Sequence, residues 1–441
     1  MIKRFTRPEV EELFSILRKK QGWHDVETAV VGAREKLGDI PAGIRQMVAA
    51  IVITPEILKR ADEIEAEIDH DLLALILSVA EQLEEEARPC YHDGLTSYDD
   101  EDTALAVILV LALELIIGAI EKLCSVVYRR AVEHKETVMV ARTHFIHAKP
   151  YVFSLWFFNL LDDLNEHLKV LRGAIEVVGV GKISGAVGTY TLPPEIEEIA
   201  CRALNLQAAK ISTQIISRRV HCHFASVVVE VANTLEKYAT DIRLMAGTDL
   251  SEVEEWKSPK AHGSSAMPGK TMLRNPIKSE NVCGLAKVAR GYLLTAFECQ
   301  NLWLQRTLDN SSAERVWLPD LTTVVHFMLG RFTDVLDKLV VYPRQMEANL
   351  WRTGGMVFAE DVMMALTETG MARPEAYELL EGLARQIRKG PYTTDDGKTY
   401  RSLVYSNPTI VNLLGMVRLD KLFDPWNSLK NVQSVYGRFG I

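Results

Sequence analysis

Helical periodicity runs with few breakers for more than twenty residues at a time in this chain, and that feature removes most folds from consideration. Apolar residues recur at three- and four-residue steps through Ile64 to Glu86, Ala104 to Val132, Pro150 to Val178, His221 to Met245 and Val282 to Thr307. A typical globular helix has about 11 to 12 residues. Segments this long call for a bundle in which each helix buries its apolar stripe along another. Strand-like alternation is confined to Thr137 to Arg142 and Thr399 to Val404. The fold class expected is therefore all-α.

One segment tests that reading. Ala104 to Ile120 is apolar except for Glu114, so the helix must lie in lipid or in the middle of a large bundle. It falls a little short of the roughly 20 residues a bilayer requires, and the bundle is the expectation. The acids Asp99, Asp100, Glu101 and Asp102 just before it suit a helix N-terminus by capping and by the helix dipole.

At 441 residues the chain exceeds what one growing core supports. The expected division is an N-terminal helical domain over 1–96, a long-helix domain over 97–341 and a small helical domain over 342–441, the last broken at Gly390 and Pro391. A net charge of -9, with no segment that concentrates Lys and Arg, argues against a nucleic-acid partner. Six scattered cysteines without metal-type spacing fit thiols in a reducing cytoplasm. The opening MIKRFTRPEVEELF shows neither signal nor transit character, and no membrane partner is expected.

Four polar islands interrupt the helices: GLTSYDDEDT at Gly94 to Thr103, RTHFIHAKP at Arg142 to Pro150, GKISGAVGTY at Gly181 to Tyr190, and GSSAMPGKTMLRNP at Gly263 to Pro276. At the ends of long helices they can be gathered into one cleft. The last island supplies backbone N–H groups around Gly263 and Gly269 and the cation Lys270, which together can stabilise an oxyanion or an enolate-like dianion. Ser264 or Ser265 in that field can act as a base, and His144 is the natural proton donor, since imidazole is the side chain best suited to proton transfer near neutrality. Proton removal beside a carboxylate followed by elimination would use all of these parts. Taken singly, the serines are also ordinary turn formers and His144 an ordinary structural histidine. The pairs His144/His147 and His221/His223 invite zinc, but no matching cysteine or acid cluster follows. No metal or other cofactor is expected.

In order along the chain, RFTRPEV, DHDLLALI, GLTSYDDEDTA, RTHFIHAKP, GKISGAVGTY, STQIISR, GSSAMPGK, RNPIKSEN, SSAERVWLPD, RTGGMVFAEDVMMAL and LFDPWNSLKNV resemble the fumarase/aspartase superfamily of fumarate-releasing lyases, and within it the adenylosuccinate lyase family. The resemblance implies a three-domain fold whose long helices form a twenty-helix core in a homotetramer, with each active site shared between subunits and a small nucleotide as substrate. It implies Ser265 as the base that takes the succinyl β-proton, with Ser264 beside it as a substrate contact, and His144 as the acid that protonates the departing nitrogen. His70 corresponds to a second active-site histidine, Glu280 to the acid supporting the catalytic histidine, and Lys270 and Asn275 to residues that hold a succinyl carboxylate. Thr96, Ser97, Thr143 and Gln214 match polar contacts to the fumaryl portion.

The nucleotide end is implied by an arginine, a serine five residues on and an arginine four beyond that. Arg306, Ser311 and Arg315 fit this spacing, Arg4 fits an N-terminal phosphate or ribose contact, and guanidinium forks suit phosphate oxygens. A plainer role for Arg315 is pairing with its neighbour Glu314.

Several positions depart from the family pattern: Phe5, Asp69, Lys149, Ser217, Arg219, Val220, His223 and Gly269 replace its usual residues, and Thr271 to Leu273 are inserted after the loop lysine. Charge is removed or reversed near the ligand. The open alternatives are a lyase for another succinyl-substituted substrate and a nucleotide-binding relative without chemistry.

Overall fold

The computed structural model describes residues 3–260, 266–271 and 274–441. The chain falls into two compact units, each assembled from three segments. The first unit comprises Met1–Leu123, Leu164–Lys237 and Asn281–Arg331, and the second Cys124–Asp163, Tyr238–Glu280 and Phe332–Ile441.

Long helices dominate, as the periodicity requires: Ser97–Glu133, Phe153–Val178, Arg219–Met245, Ile277–Glu298 and Asp309–Asp337. The first has 37 residues, about 55 Å at 1.5 Å per residue. It is the one described helix long and apolar enough to cross a membrane by length and composition, and 56% of its most apolar stretch is buried inside the chain. Ala112, Leu113, Ile116 and Ile120 among its residues have no exposed surface, which is the bundle environment expected of it.

Local chemistry corrects several boundaries. Ile64 to Glu86 is not one helix: Asp69 adopts φ 55 and ends Pro55–Ile68, and His70 then caps Asp71–Ala80. Aspartate tolerates the left-handed region better than most residues, so the break costs little. The helix read from Pro150 begins at Phe153, because Ile146–Val152 pairs as β2 with Val138–Thr143, β1, in an antiparallel hairpin. Val282 to Thr307 is displaced to Ile277–Glu298. Thr399 to Val404, read as strand-like, is the helix Tyr400–Ser406, started by the Thr399 hydroxyl accepting from the Ser402 N–H at 3.2 Å.

The first unit packs Trp23, Val26, Leu72, Leu75, Val79 and Ile196 into one apolar core. The second has its own, around Phe358, Val362, Leu366, Tyr400 and Leu419. All six cysteines are free thiols.

Candidate active site

The first unit contains a polar cavity of about 440 Å³ whose lining includes His70, Thr96, Ser97, Gln214, Ser311 and Arg315. These residues come from four separated regions of the chain.

His70 is placed by the break that splits its helix. As N-cap it accepts the Leu73 N–H on Nδ1 at 3.2 Å, so the ring proton sits on Nε2. That nitrogen lies 3.4 Å from the Ser97 hydroxyl. Thr96 and Ser97 open the Ser97–Glu133 helix, and Asp99 reaches back to accept the Thr96 N–H at 2.9 Å. Arg315 is not paired with Glu314. Its guanidinium lies 3.1 Å from Asp71 and 3.7 Å from Glu101, both facing the same cavity, while Glu314 is engaged by Arg218.

Arg306 lies next to this lining. Its guanidinium stacks on the Tyr98 ring at 3.9 Å, and its Nη2 donates to the Ser311 hydroxyl at 2.7 Å. Its Nε and Nη1 are buried without a hydrogen-bond partner. Two buried guanidinium nitrogens with unpaired N–H groups are costly unless an anion completes them. Arg4 sits exposed in the short turn Lys3–Phe5 of the same unit and does not line the cavity.

The run Asp99 to Asp102, read as helix-dipole chemistry, does more than that. Asp99 and Lys182 form an ion pair with no exposed side-chain surface, and Asp99 also accepts the Ser184 and Gly185 N–H groups at 3.1 and 3.3 Å. It thereby pins the GKISG island to the head of the long helix. Asp100 lies 3.3 Å from His92, which Glu27 approaches at 2.6 Å. Burial alone would lower the His92 pKa, but hydrogen bonds to Asp100 and Glu27 raise it to about 10, while burial and the charge of Glu27 push the Asp100 carboxyl well above the usual carboxylate range. Glu101 is pushed up to about 7, chiefly by burial and then by the charge of Asp71, against the pull of Lys19 and Arg315. Asp102 takes both terminal nitrogens of Arg218. Sequence reasoning missed Tyr98, Glu101, His92, Lys182 and Arg218. Four acids in a row at a helix start that also opens an apolar run were the available signal, since so many charges there need buried partners.

The second unit holds the remaining candidates. The RTHFIHAKP island is not at a helix end: it forms the tip of the β1–β2 hairpin, where Thr143 pairs with Ile146 and the two residues between, His144 and Phe145, have φ 54 and 63. Positive φ at both turn positions is the type I′ requirement, usually met by Asn-Gly. His-Phe adopts it here at a cost in backbone strain. Thr143 and His144 are exposed there. Arg142, at the base of the tip, is anchored by two hydrogen bonds of 2.7 and 3.0 Å to buried Glu252.

Lys270 donates to the Asn275 side-chain oxygen at 3.3 Å, and Lys257 donates to the Asn275 carbonyl at 2.6 Å. Glu280 is exposed in the first turn of Ile277–Glu298, a helix whose start is capped by Glu255 accepting the Ser279 and Lys278 N–H groups. Lys149 pairs with Glu360 at 3.0 Å, which gives the reversed charge at that position a local partner. Ser264, Ser265, Met272 and Leu273 lie outside the described residues.

A lyase family model matches residues 30–291, and a model of the adenylosuccinate lyase C-terminus matches residues 355–439. The adenylosuccinate lyase of Synechocystis is 40% identical over 443 residues and that of Bacillus subtilis 37% over 442, with full coverage of both chains in each case. Among solved structures, a fumarate lyase from Mesorhizobium superposes with a TM-score of 0.84 at 26% identity, over 96% of this chain and 95% of that one. The 3-carboxy-cis,cis-muconate lactonizing enzyme of Pseudomonas putida superposes at 0.86 with 27% identity, over 98% and 96%. A fold shared by enzymes so differently named does not by itself select a reaction. The full-length sequence matches do.

Proposed function

The chain belongs to the adenylosuccinate lyase family of the fumarate lyase superfamily, and from that premise we propose how this carbon–nitrogen lyase divides the elimination of fumarate from adenylosuccinate among its residues. Ser265 removes the β-proton of the succinyl group. The loop N–H groups and Lys270, with Asn275, stabilise the carbanion and its carboxylates. His144 gives a proton to the nitrogen as the C–N bond breaks, releasing AMP and fumarate. Glu280 supports the catalytic histidine, and His70 presents its Nε2 proton to the substrate. Thr96, Ser97, Thr143, Gln214 and Ser264 hold the fumaryl portion, while Arg306, Ser311, Arg315 and Arg4 hold the phosphate. The succinylated aminoimidazole ribotide of purine synthesis is a second substrate of the same chemistry.

The observation that supports this most is the cavity that gathers His70, Ser97, Gln214, Ser311 and Arg315 from distant segments beside the two unpartnered donors of Arg306. We also propose a cytoplasmic homotetramer with sites completed across subunits. Leu294, Trp303, Leu304, Leu308 and Val316 are 62%, 73%, 89%, 71% and 55% exposed, an apolar set that suits burial against other copies. The three-part division at 96 and 341 stays part of the proposal, supported by the separate core of the C-terminal helices.

The test is purified protein with adenylosuccinate, followed by the purine absorbance change and by fumarate release. Activity abolished by Ser265→Ala and by His144→Asn is the expected outcome. Full activity in either variant sinks its assignment.

A further inference from the structure

We propose that Tyr98 is a positioning residue for the phosphate end of the cleft: its phenol donates to Ser311 and so converts that serine into a pure hydrogen-bond donor aimed at an anion. The proposal rests on the reading that Arg306, Ser311 and Arg315 hold a phosphate group.

The geometry supplies the argument. The phenol oxygen of Tyr98 lies 2.6 Å from the Ser311 hydroxyl. The same hydroxyl accepts from Arg306 Nη2 at 2.7 Å. A serine hydroxyl has one proton and two lone pairs. The arginine occupies one lone pair. If the phenol donates as well, both are filled, and the serine can only give its proton away.

The reverse orientation would spend the serine proton on tyrosine and leave the serine none to give a ligand. A phenol is the better donor and the poorer acceptor of the two hydroxyls, because its oxygen lone pair is delocalised into the ring. Burial also pushes the Tyr98 pKa upward, so its proton stays in place at working pH.

Tyr98 acts on Arg306 too. The ring covers one face of the guanidinium at 3.9 Å, a cation–π contact that leaves the edge N–H groups, Nε and Nη1, as the unpartnered donors. Arg306 and the serine then present donors only. Such a set accepts a fully deprotonated phosphomonoester best, because a P–OH proton would find no acceptor among them. Inorganic sulfate, which carries no proton near neutrality, is the matching simple probe.

The experiment compares the assembled wild-type enzyme with Tyr98→Phe, Tyr98→Leu, Arg306→Met and Ser311→Ala. It measures KM and kcat for adenylosuccinate and inhibition by inorganic phosphate and by sulfate. Phenylalanine keeps the ring on Arg306 and removes only the hydroxyl. Tyr98→Phe is expected to raise KM and both inhibition constants about tenfold, the scale of one hydrogen bond to a charged group, with kcat within about twofold. Tyr98→Leu, which loses the ring as well, is expected to raise them further.

Constants in Tyr98→Phe within about twofold of wild type, while Arg306→Met raises them strongly, overturn the role of Tyr98 and leave the phosphate reading standing. Unchanged constants in Arg306→Met overturn the phosphate reading itself. A fall in kcat at unchanged KM also overturns the proposal. Should Tyr98→Leu fail to fold, the double variant Tyr98→Phe/Ser311→Ala decides. It is expected to be no worse than Ser311→Ala alone, and independent additive losses count against the idea.

Discussion

Arg218 and Glu314 face each other through two parallel hydrogen bonds, Nε to Oε1 at 2.8 Å and Nη2 to Oε2 at 3.0 Å, with both side chains almost wholly buried. The same guanidinium grips Asp102 from its other edge at 2.8 and 3.0 Å. One cation thus ties the Ser97–Glu133, Arg219–Met245 and Asp309–Asp337 helices at the level where each delivers or flanks a cavity residue: Glu101, Gln214 and Arg315. Arg218→Leu strands two buried carboxylates, and a loss of about 3–5 kcal/mol is expected, read as a lower urea midpoint.

Glu314 gives that clamp a pH signature. Burial would raise its pKa, but His221 and Arg218 bring it down to about 2. Its folded value lies below the unfolded one near 4.3, so its contribution is fully present above that value and is lost as pH falls toward 2. The stability gap between wild type and Glu314→Gln is expected to narrow across that window in acid unfolding curves. A gap that is constant from pH 6 to pH 2 would contradict the assignment.

Glu101 behaves in the opposite sense. Burial and the charge of Asp71 raise it to about 7, so the folded state binds its proton more tightly than the unfolded chain does. Stability is therefore lost as pH rises from about 4.3 to about 7. Glu101→Gln is expected to stabilise the protein by on the order of 1–3 kcal/mol at pH 8, with little effect at pH 4. Thermal midpoints at the two pH values check it.

Gly188 has φ +83, and a Cβ there would sit 2.2 Å from the carbonyl oxygen of Ser212, two residues before Gln214. Gly188→Ala must push the Ser-Thr-Gln segment away from its place. A cost of about 1–3 kcal/mol is expected together with a raised KM, because Gln214 lines the cavity. Steady-state kinetics and thermal melting of one preparation report both.

His144 offers a cleaner separation of chemistry from fold. Its φ of 54 is one that asparagine also adopts readily. His144→Asn is expected to keep the hairpin and the thermal midpoint while lowering kcat by about 10²- to 10⁴-fold, the usual scale for a proton donor. A variant with near-normal kcat would remove His144 from the reaction.

How much of this was legible beforehand depends on the range of the interaction concerned. The Arg306, Ser311 and Arg315 spacing and the Thr96-Ser97 pair were readable as motifs, and the structure brings Ser311, Arg315, Thr96 and Ser97 to one cavity. The hairpin under His144 was half visible as alternation in Thr137 to Arg142, but His-Phe is a poor signature for its turn. The split at Asp69 was hidden because its neighbours keep a helical pattern. Only a residue able to adopt φ 55, followed by a histidine able to cap, breaks the run.

What the sequence determined by itself is the all-α class, the positions of most of the long helices and the order of the polar islands, because periodicity and breakers act within a few turns of the chain. The tertiary structure decided where the charges go. Asp99 meets Lys182 from 83 positions away, Asp102 meets Arg218 from 116, and Arg315 meets Asp71 from 244. A run of acids looks the same in a sequence whether solvent or a buried cation completes it, and the desolvation that makes those partners obligatory exists only once the helices have packed.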